Sequence, residues 1–348
     1  MTNHPTADAA RVDTILARYR DPVLDGVRAA LDRPDLAHFR HLRQHFGWAG
    51  GDAGGEARNG KMLRPALCLL CCEATGGDAS HALPAAVAIE LLHNFTLIHD
   101  DIEDDSPTRH GRPALWREIG LAHAINAGDG MFSLAQRTLL RMSDAGVPPD
   151  RTLRAAATLF DACIALCEGQ HLDLSFESRT SVTLAEYEAM IAGKTAALLG
   201  ASAAIGAIGA GTDDATVDAF GRAGQALGLA FQVQDDLLGV WGDASATGKP
   251  VAGDIRARKK SFPVVWALEH APTPVREQLA RLYDGEMTGA AVDEVVFLLE
   301  EAGARAAATA AAESHAANAL ATLRSLPLVE DDRRDIEALA AFFVHRTS

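Results

Sequence analysis

Apolar positions recur along most of the chain at helical spacing, and no stretch alternates with a convincing period of two. Ala and Leu, both strong helix formers, dominate throughout, so the pattern predicts an all-α fold. Glycine and proline punctuate it at "GWAGGDAGGEARNGK" (Gly47 to Lys61), "TGGDAS" (Thr75 to Ser80), "AGVPPD" (Ala145 to Asp150), "GAGTDDA" (Gly209 to Ala215) and "GDASATGKPVAGD" (Gly242 to Asp254). None of these breaks is long enough for a clear interdomain linker, and no repeat of fixed period is present. Residues 1–348 are therefore read as one large helical domain, with 1–10 without fixed structure. Leu83 to His99 and Leu227 to Val240 are apolar nearly all round, which predicts central helices. The Ala-rich run Ala302 to Ala321 reads as a further strong helix.

Composition narrows the class. A length of 348 residues admits two domains at roughly 150 residues each, although large helical folds also run this long as one. Hydrophobic content of 48% and charged content of 23% supply a sizeable core and carry no signature of disorder. A formal net charge of -15 argues against nucleic acid and against anionic membranes, both of which need clustered Lys and Arg. Residues 1–10 lack the basic start and apolar centre of a secretory signal. "TAALLGASAAIGAIGAG" (Thr195 to Gly211) is built of Ala and Gly and falls short of a spanning helix. A cytoplasmic protein without stable membrane insertion is expected. Cys68, Cys71, Cys72, Cys163 and Cys167 lie in apolar helical stretches without a second ligand pair at zinc spacing, so they read as buried, reduced thiols.

Acidic residues break this quiet picture in two places. "LIHDDIEDDSPTRHGRP" (Leu97 to Pro113) packs five carboxylates between Asp100 and Asp105 at the end of one central segment. On a helix continued through Asp105, Asp100 and Asp104 share a face and repel each other. "FQVQDDLLGVWGD" (Phe231 to Asp243) repeats the arrangement with Asp235 and Asp236 at the end of the other segment. One acidic run is an ordinary solvated helix end; two pairs, each behind core helix, point to hard divalent cations such as Mg²⁺. Lys61 and Arg64 in "GKMLRP", Arg109 and Arg112, Lys194 in "AGKTAALLG" and the run "DIRARKKSFP" add cations. Each alone is an ordinary surface charge. Together they suggest a site for two anionic groups, one held through Mg²⁺ and one held directly.

These stretches, together with "ELLHNFTLIHDD" and "EGQHLDL", resemble the trans-isoprenyl diphosphate synthases, or polyprenyl synthetases, over about residues 55 to 265. The likeness is greatest to short-chain geranylgeranyl and farnesyl diphosphate synthases. It implies an all-α bundle of the isoprenoid synthase type around a deep cavity, usually as a homodimer. The implied reaction joins isopentenyl diphosphate to an allylic diphosphate with three Mg²⁺ per active site. Asp100, Asp104 and Asp235 would ligate metal, with Asp101 and Asp236 as close support. Arg109, Lys194 and Lys259 would hold the allylic diphosphate, and Lys61, Arg64 and His93 the isopentenyl diphosphate. Thr195 and Gln232 match polar positions at the reacting centre. For His93 a core histidine, and for Gln170 and Asp173 a buried pair between helices, are the plainer alternatives; the motif favours a ligand role for His93 and leaves the other two undecided.

Two departures from the pattern stand out. Gly239 replaces the outer Asp of the second motif, and Asp243, a turn further on, is a candidate to act through water. His110 stands where a second Arg would address isopentenyl diphosphate, and neutral imidazole is the weaker partner. His110→Arg is expected to lower the KM for isopentenyl diphosphate in steady-state assays. Phe95 and Thr96, roughly 6 to 8 Å below Asp100 along a helix axis, with Leu92 next, are the expected cavity floor. The aromatic at 95 suggests a geranylgeranyl (C20) product, with farnesyl diphosphate as the alternative. A class I terpene cyclase and a non-catalytic subunit of a heteromeric synthase are the competing readings.

Overall fold

The computed structural model describes residues 5–48, 60–109, 111–242 and 252–345. The first ten helices are α1 (Pro5–Leu31), α2 (Phe39–His45), α3 (Leu63–Ala74), α4 (Ala79–Glu103), α5 (Leu115–Ile119), α6 (Leu121–Leu139), α7 (Pro149–Glu177), α8 (Leu184–Ile191), α9 (Ala197–Ala210) and α10 (Asp214–Trp241). The short helices Gly253–Arg256, Phe262–His270, Thr273–Asp284 and Gly289–Glu301 follow, then the longer Ala304–Arg324 and Glu330–His345. A single antiparallel hairpin, β1 (Thr108–Arg109) and β2 (Arg112–Pro113), interrupts the described helices and sets Arg109 opposite Arg112. The fold is all-α, as the apolar pattern predicts.

α9 lies at the centre, packed by α3, α4, α7 and α10, and nearly all of its residues are buried. Its Ala and Gly side chains let four neighbours crowd around one axis. α4 and the run Leu184–Ala210 are long and apolar enough to cross a membrane, but 67% and 83% of their most apolar windows are buried inside the bundle. α4 and α10 begin at side-chain caps: Asp78 accepts from the Ser80 N–H (2.8 Å) and Asp213 from the Thr216 N–H (2.9 Å). These caps fix the start of each helix, and the acidic pairs ride at the other end.

Three expectations need correction. α1 begins at Pro5, inside the ten residues expected to lack fixed structure, because proline suits a first helical turn and an Ala-rich sequence follows it. α4 stops at Glu103; Asp104 is its C-cap and Asp105 turns left-handed at φ 48°, while Pro107 prevents the helix from resuming. Cys68, Cys71, Cys72 and Cys163 are buried free thiols, but Cys167 is exposed on the outer side of α7.

Candidate active site

The C-terminal halves of α4 and α10 face each other across a cavity of about 1220 Å³. From α4 and its C-cap the wall takes Glu90, His93, Asn94, Leu97, Asp100, Asp101 and Asp104, a stripe at three- and four-residue spacing. From α10 it takes Phe231, Gln232, Asp235 and Asp236. Both acidic clusters thus address one space. Burial pushes the Asp100 carboxyl up to about 6; Lys194 pulls it down and Asp104 adds to the rise.

Asp101 and Asp236 are both held by protein donors. Asp101 is buried and accepts from Arg109 Nε (3.0 Å) and Nη2 (2.6 Å). The loop after α4 makes this possible by folding back: the Ser106 N–H donates to the Asp101 carbonyl, and Trp116 Nε1 donates to the Ser106 carbonyl at 2.8 Å. Asp236 accepts from the Tyr187 hydroxyl (2.6 Å), the Phe262 N–H (2.7 Å) and Gln232 Nε2 (2.9 Å), so it joins α8, α10 and helix Phe262–His270. Burial, and after it the charge of Asp254, pushes its carboxyl up to about 7. Thr195 Oγ1 donates to Gln232 Oε1 (2.7 Å) and sits buried behind it, outside the cavity wall.

Cations form two groups. Lys194 projects from a π-helical turn, Ala192–Ala196, between α8 and α9, and pairs with Asp173 of α7. Desolvation pulls the Lys259 ammonium down, but Asp254, Asp104, Asp173 and Asp236 outweigh it and leave the group raised. Across the cavity, Arg64 Nη1 lies 3.5 Å from His93 Nε2, and Lys61 Nζ lies 5.0 Å from the centre of the Phe342 ring. A polar chain backs this second group: Asn94 donates to Glu90 Oε1 (2.9 Å) and meets His45 Nε2 through its Oδ1 (3.0 Å). Burial raises the Glu90 carboxyl, against the Asn94 hydrogen bond and the Arg64 charge.

Other predicted residues lie elsewhere. Phe95, Thr96 and Leu92 do not line this cavity. Five residues of helix turn Phe95 about 140° away from Asp100. Phe95 instead packs on His99 and on Phe132 of α6, with ring centroids 4.9 and 5.2 Å away. Phe132 in turn lines a smaller apolar cavity of about 580 Å³ with Phe160, Cys163 and Ile164 of α7. Gln170 and Asp173 do not pair with each other: Gln170 donates to Glu103 (2.6 Å), and Asp173 meets Lys194. His110 and Asp243 lie outside the described residues.

The gap at Gly239 has a neighbour that the motif alone does not reveal. A Cβ at this position would collide with the carboxylate of Asp254, which also lines the cavity. Asp254 belongs to the charged run after α10 and was legible only as one acid among several. Glu90, a lone charge inside an apolar run, was a visible signal, whereas Tyr187 and Phe342 gave none. Among the described residues, four non-glycine residues have positive φ, namely Met62, Asp105, Ala252 and Arg258. Each adjoins or nearly adjoins a site residue (Lys61, Asp104, Asp254 and Lys259), so backbone strain is concentrated at the site's edges.

The donors available for a metal are hard carboxylate oxygens, which fit Mg²⁺. Among the described residues no group of three His, Cys, Asp or Glu converges to cage an ion. That suits a cation which takes most of its ligands from water and phosphate oxygens.

A helical bundle whose central helices aim two carboxylate pairs and two cation groups into one cavity defines an enzyme class built to handle diphosphates. The chain belongs to the polyprenyl synthetase family, a family of prenyltransferases, whose model matches residues 56–301. It is 42% identical to a geranylgeranyl diphosphate synthase of Mycobacterium tuberculosis over 331 residues, covering 91% of this chain and 93% of that one. It is 38% identical to a (2E,6E)-farnesyl diphosphate synthase of the same species over 339 residues, covering 95% and 92%. The crystal structure of a polyprenyl synthetase from Streptomyces coelicolor A3(2) superposes with a TM-score of 0.86 at 37% identity, covering 96% of this chain and 99% of that one.

Proposed function

We propose that the protein condenses isopentenyl diphosphate head-to-tail with an allylic diphosphate to give a short-chain all-trans prenyl diphosphate, geranylgeranyl diphosphate in the first instance. The observation that carries this reading is the pairing of two carboxylate clusters and two separate cation groups on one cavity wall. Similarity to both a geranylgeranyl and a farnesyl diphosphate synthase supports the class and spans both candidate lengths.

Bound Mg²⁺, three ions per site, would supply charge neutralisation for the departing pyrophosphate. Asp100, Asp104 and Asp235 are the residues to hold it, with Asp254 in the space left by Gly239. Lys194 and Lys259 bind the allylic diphosphate, and Arg109, clamped by Asp101, addresses the same anion from the hairpin. Lys61, Arg64 and His93 orient isopentenyl diphosphate so that its double bond faces the allylic carbon. The allylic carbon–oxygen bond breaks with its electron pair leaving on pyrophosphate, and the double bond attacks the resulting cation. Pyrophosphate then takes the proton that restores an alkene. Leu97 and Phe231 on the wall keep water from the cation.

A class I cyclase has no use for the second cation group. Incubating an allylic diphosphate with and without isopentenyl diphosphate separates the two: elongation that requires both substrates is expected, and hydrocarbon from the allylic substrate alone would favour the cyclase. Activity of the purified single chain disposes of the non-catalytic subunit.

Phe95 of α4 packs on Phe132, which lines the smaller apolar cavity. Phe95→Ala is expected to lengthen the product by at least one five-carbon unit, read by mass spectrometry. An unaltered product distribution removes Phe95 from control of length. Leu121 and Ile125 on α6, Leu140 just after it, and Leu153 and Ile164 on α7 are exposed large hydrophobic side chains, and their cover by a second copy supports a homodimer. The acidic surface and the buried apolar helices support a cytoplasmic enzyme.

A further inference from the structure

We propose that Arg112 is a further cation of the isopentenyl diphosphate subsite, acting beside Lys61, Arg64 and His93; this rests on the reading of the cavity given above. The hairpin sets Arg112 across from Arg109. The two side chains nevertheless have different surroundings. Arg109 is clamped on the buried carboxylate of Asp101, on the metal side of the cavity. Arg112 lines the same cavity with its guanidinium laid against Gly47, just beyond the end of α2.

Gly47 makes that position available. It has φ +76°, and a Cβ there would collide with the Arg112 guanidinium. Two residues earlier, His45 meets Asn94, which is adjacent to His93, and His93 is 3.5 Å from Arg64. The end of α2 therefore links Arg112 to the second cation group rather than to the aspartates. Lys61 and Gly60 line the cavity there as well.

Among the described residues the Arg112 side chain makes no hydrogen bond, ion pair or ring contact. In a chain of net charge -15, five N–H donors of a guanidinium at a cavity wall without a carboxylate partner are a planar fork aimed at an anion that arrives from outside. Lys194 and Arg109, by contrast, already hold carboxylates. Diphosphate is the anion whose geometry a guanidinium fork matches, and the non-allylic substrate is the one bound on this wall.

The test is Arg112→Gln, with Arg112→Lys beside it. Loss of a charge-assisted contact should raise the KM for isopentenyl diphosphate about ten- to hundredfold. The KM for the allylic diphosphate and kcat should stay within about twofold, and the thermal midpoint should not shift. Calorimetric titration of isopentenyl diphosphate into the enzyme without allylic substrate should show the same loss of affinity, with Lys recovering part of it. An unchanged KM for isopentenyl diphosphate, or an equal rise for both substrates, overturns the proposal. If the unaltered enzyme neither binds nor consumes isopentenyl diphosphate, the reading of the cavity itself fails and this proposal falls with it.

Discussion

Asp100→Asn is expected to lower turnover by about a thousandfold or more while leaving the fold at least as stable as before. The carboxylate sits in a half-buried stretch of wall near Asp104 and Glu103, and burial already pushes its carboxyl up to about 6. In the metal-free protein its charge is therefore a burden on folding, accepted for what it does when cation and diphosphate arrive. Asn has the same shape without the charge. The sign follows from the raised value: protonated Asp100 is favoured in the folded state, so its stability contribution is lost as pH rises through about 6. Metal-free thermal midpoints of Asn and Asp proteins should thus be close near pH 4 and separate above pH 6 in favour of Asn. Addition of Mg²⁺ and pyrophosphate should stabilise the unaltered protein more than the variant. A variant that keeps more than about a tenth of the turnover would remove Asp100 from the metal set.

Asp236→Ala should act in the opposite way and cost the fold. Its carboxylate accepts from Tyr187, from the Phe262 backbone and from Gln232, all in a buried setting. Truncation leaves these donors without their acceptor, at roughly 1–3 kcal/mol each, partly offset because a carboxylate no longer has to be buried. A net loss of about 2–4 kcal/mol is expected, read from denaturant midpoints at unchanged slope. Turnover should fall as well, because Gln232 loses the contact that orients it and Thr195 behind it. An unchanged denaturant midpoint would mean that Asp236 does not hold this junction together.

The helical architecture was legible because apolar spacing and glycine breaks report local structure directly, and the capped starts of α4 and α10 agree with them. The acidic pairs were legible because uncompensated like charges behind core helix have few structural uses. What the sequence conceals is direction. Asp101 and Asp236 share motifs with Asp100 and Asp235 yet turn into protein, and only the fold supplies Arg109 and Tyr187 as their partners. The depth of Phe95 below Asp100 is legible from helix spacing, but its neighbour is not, since Phe132 arrives from another helix. Residues brought from afar, such as Phe342 beneath Lys61 and Asp254 beside Gly239, have no local signature that spacing could reveal.

The central claim is that one cavity holds two diphosphates and joins their carbon chains. The most direct test incubates the purified chain with Mg²⁺, isopentenyl diphosphate and dimethylallyl diphosphate, then measures product mass together with pyrophosphate released. The account predicts products that grow in five-carbon steps and stop at C20, one pyrophosphate per isopentenyl unit consumed, and nothing from either substrate alone. Pyrophosphate release from the allylic substrate without isopentenyl consumption would contradict it.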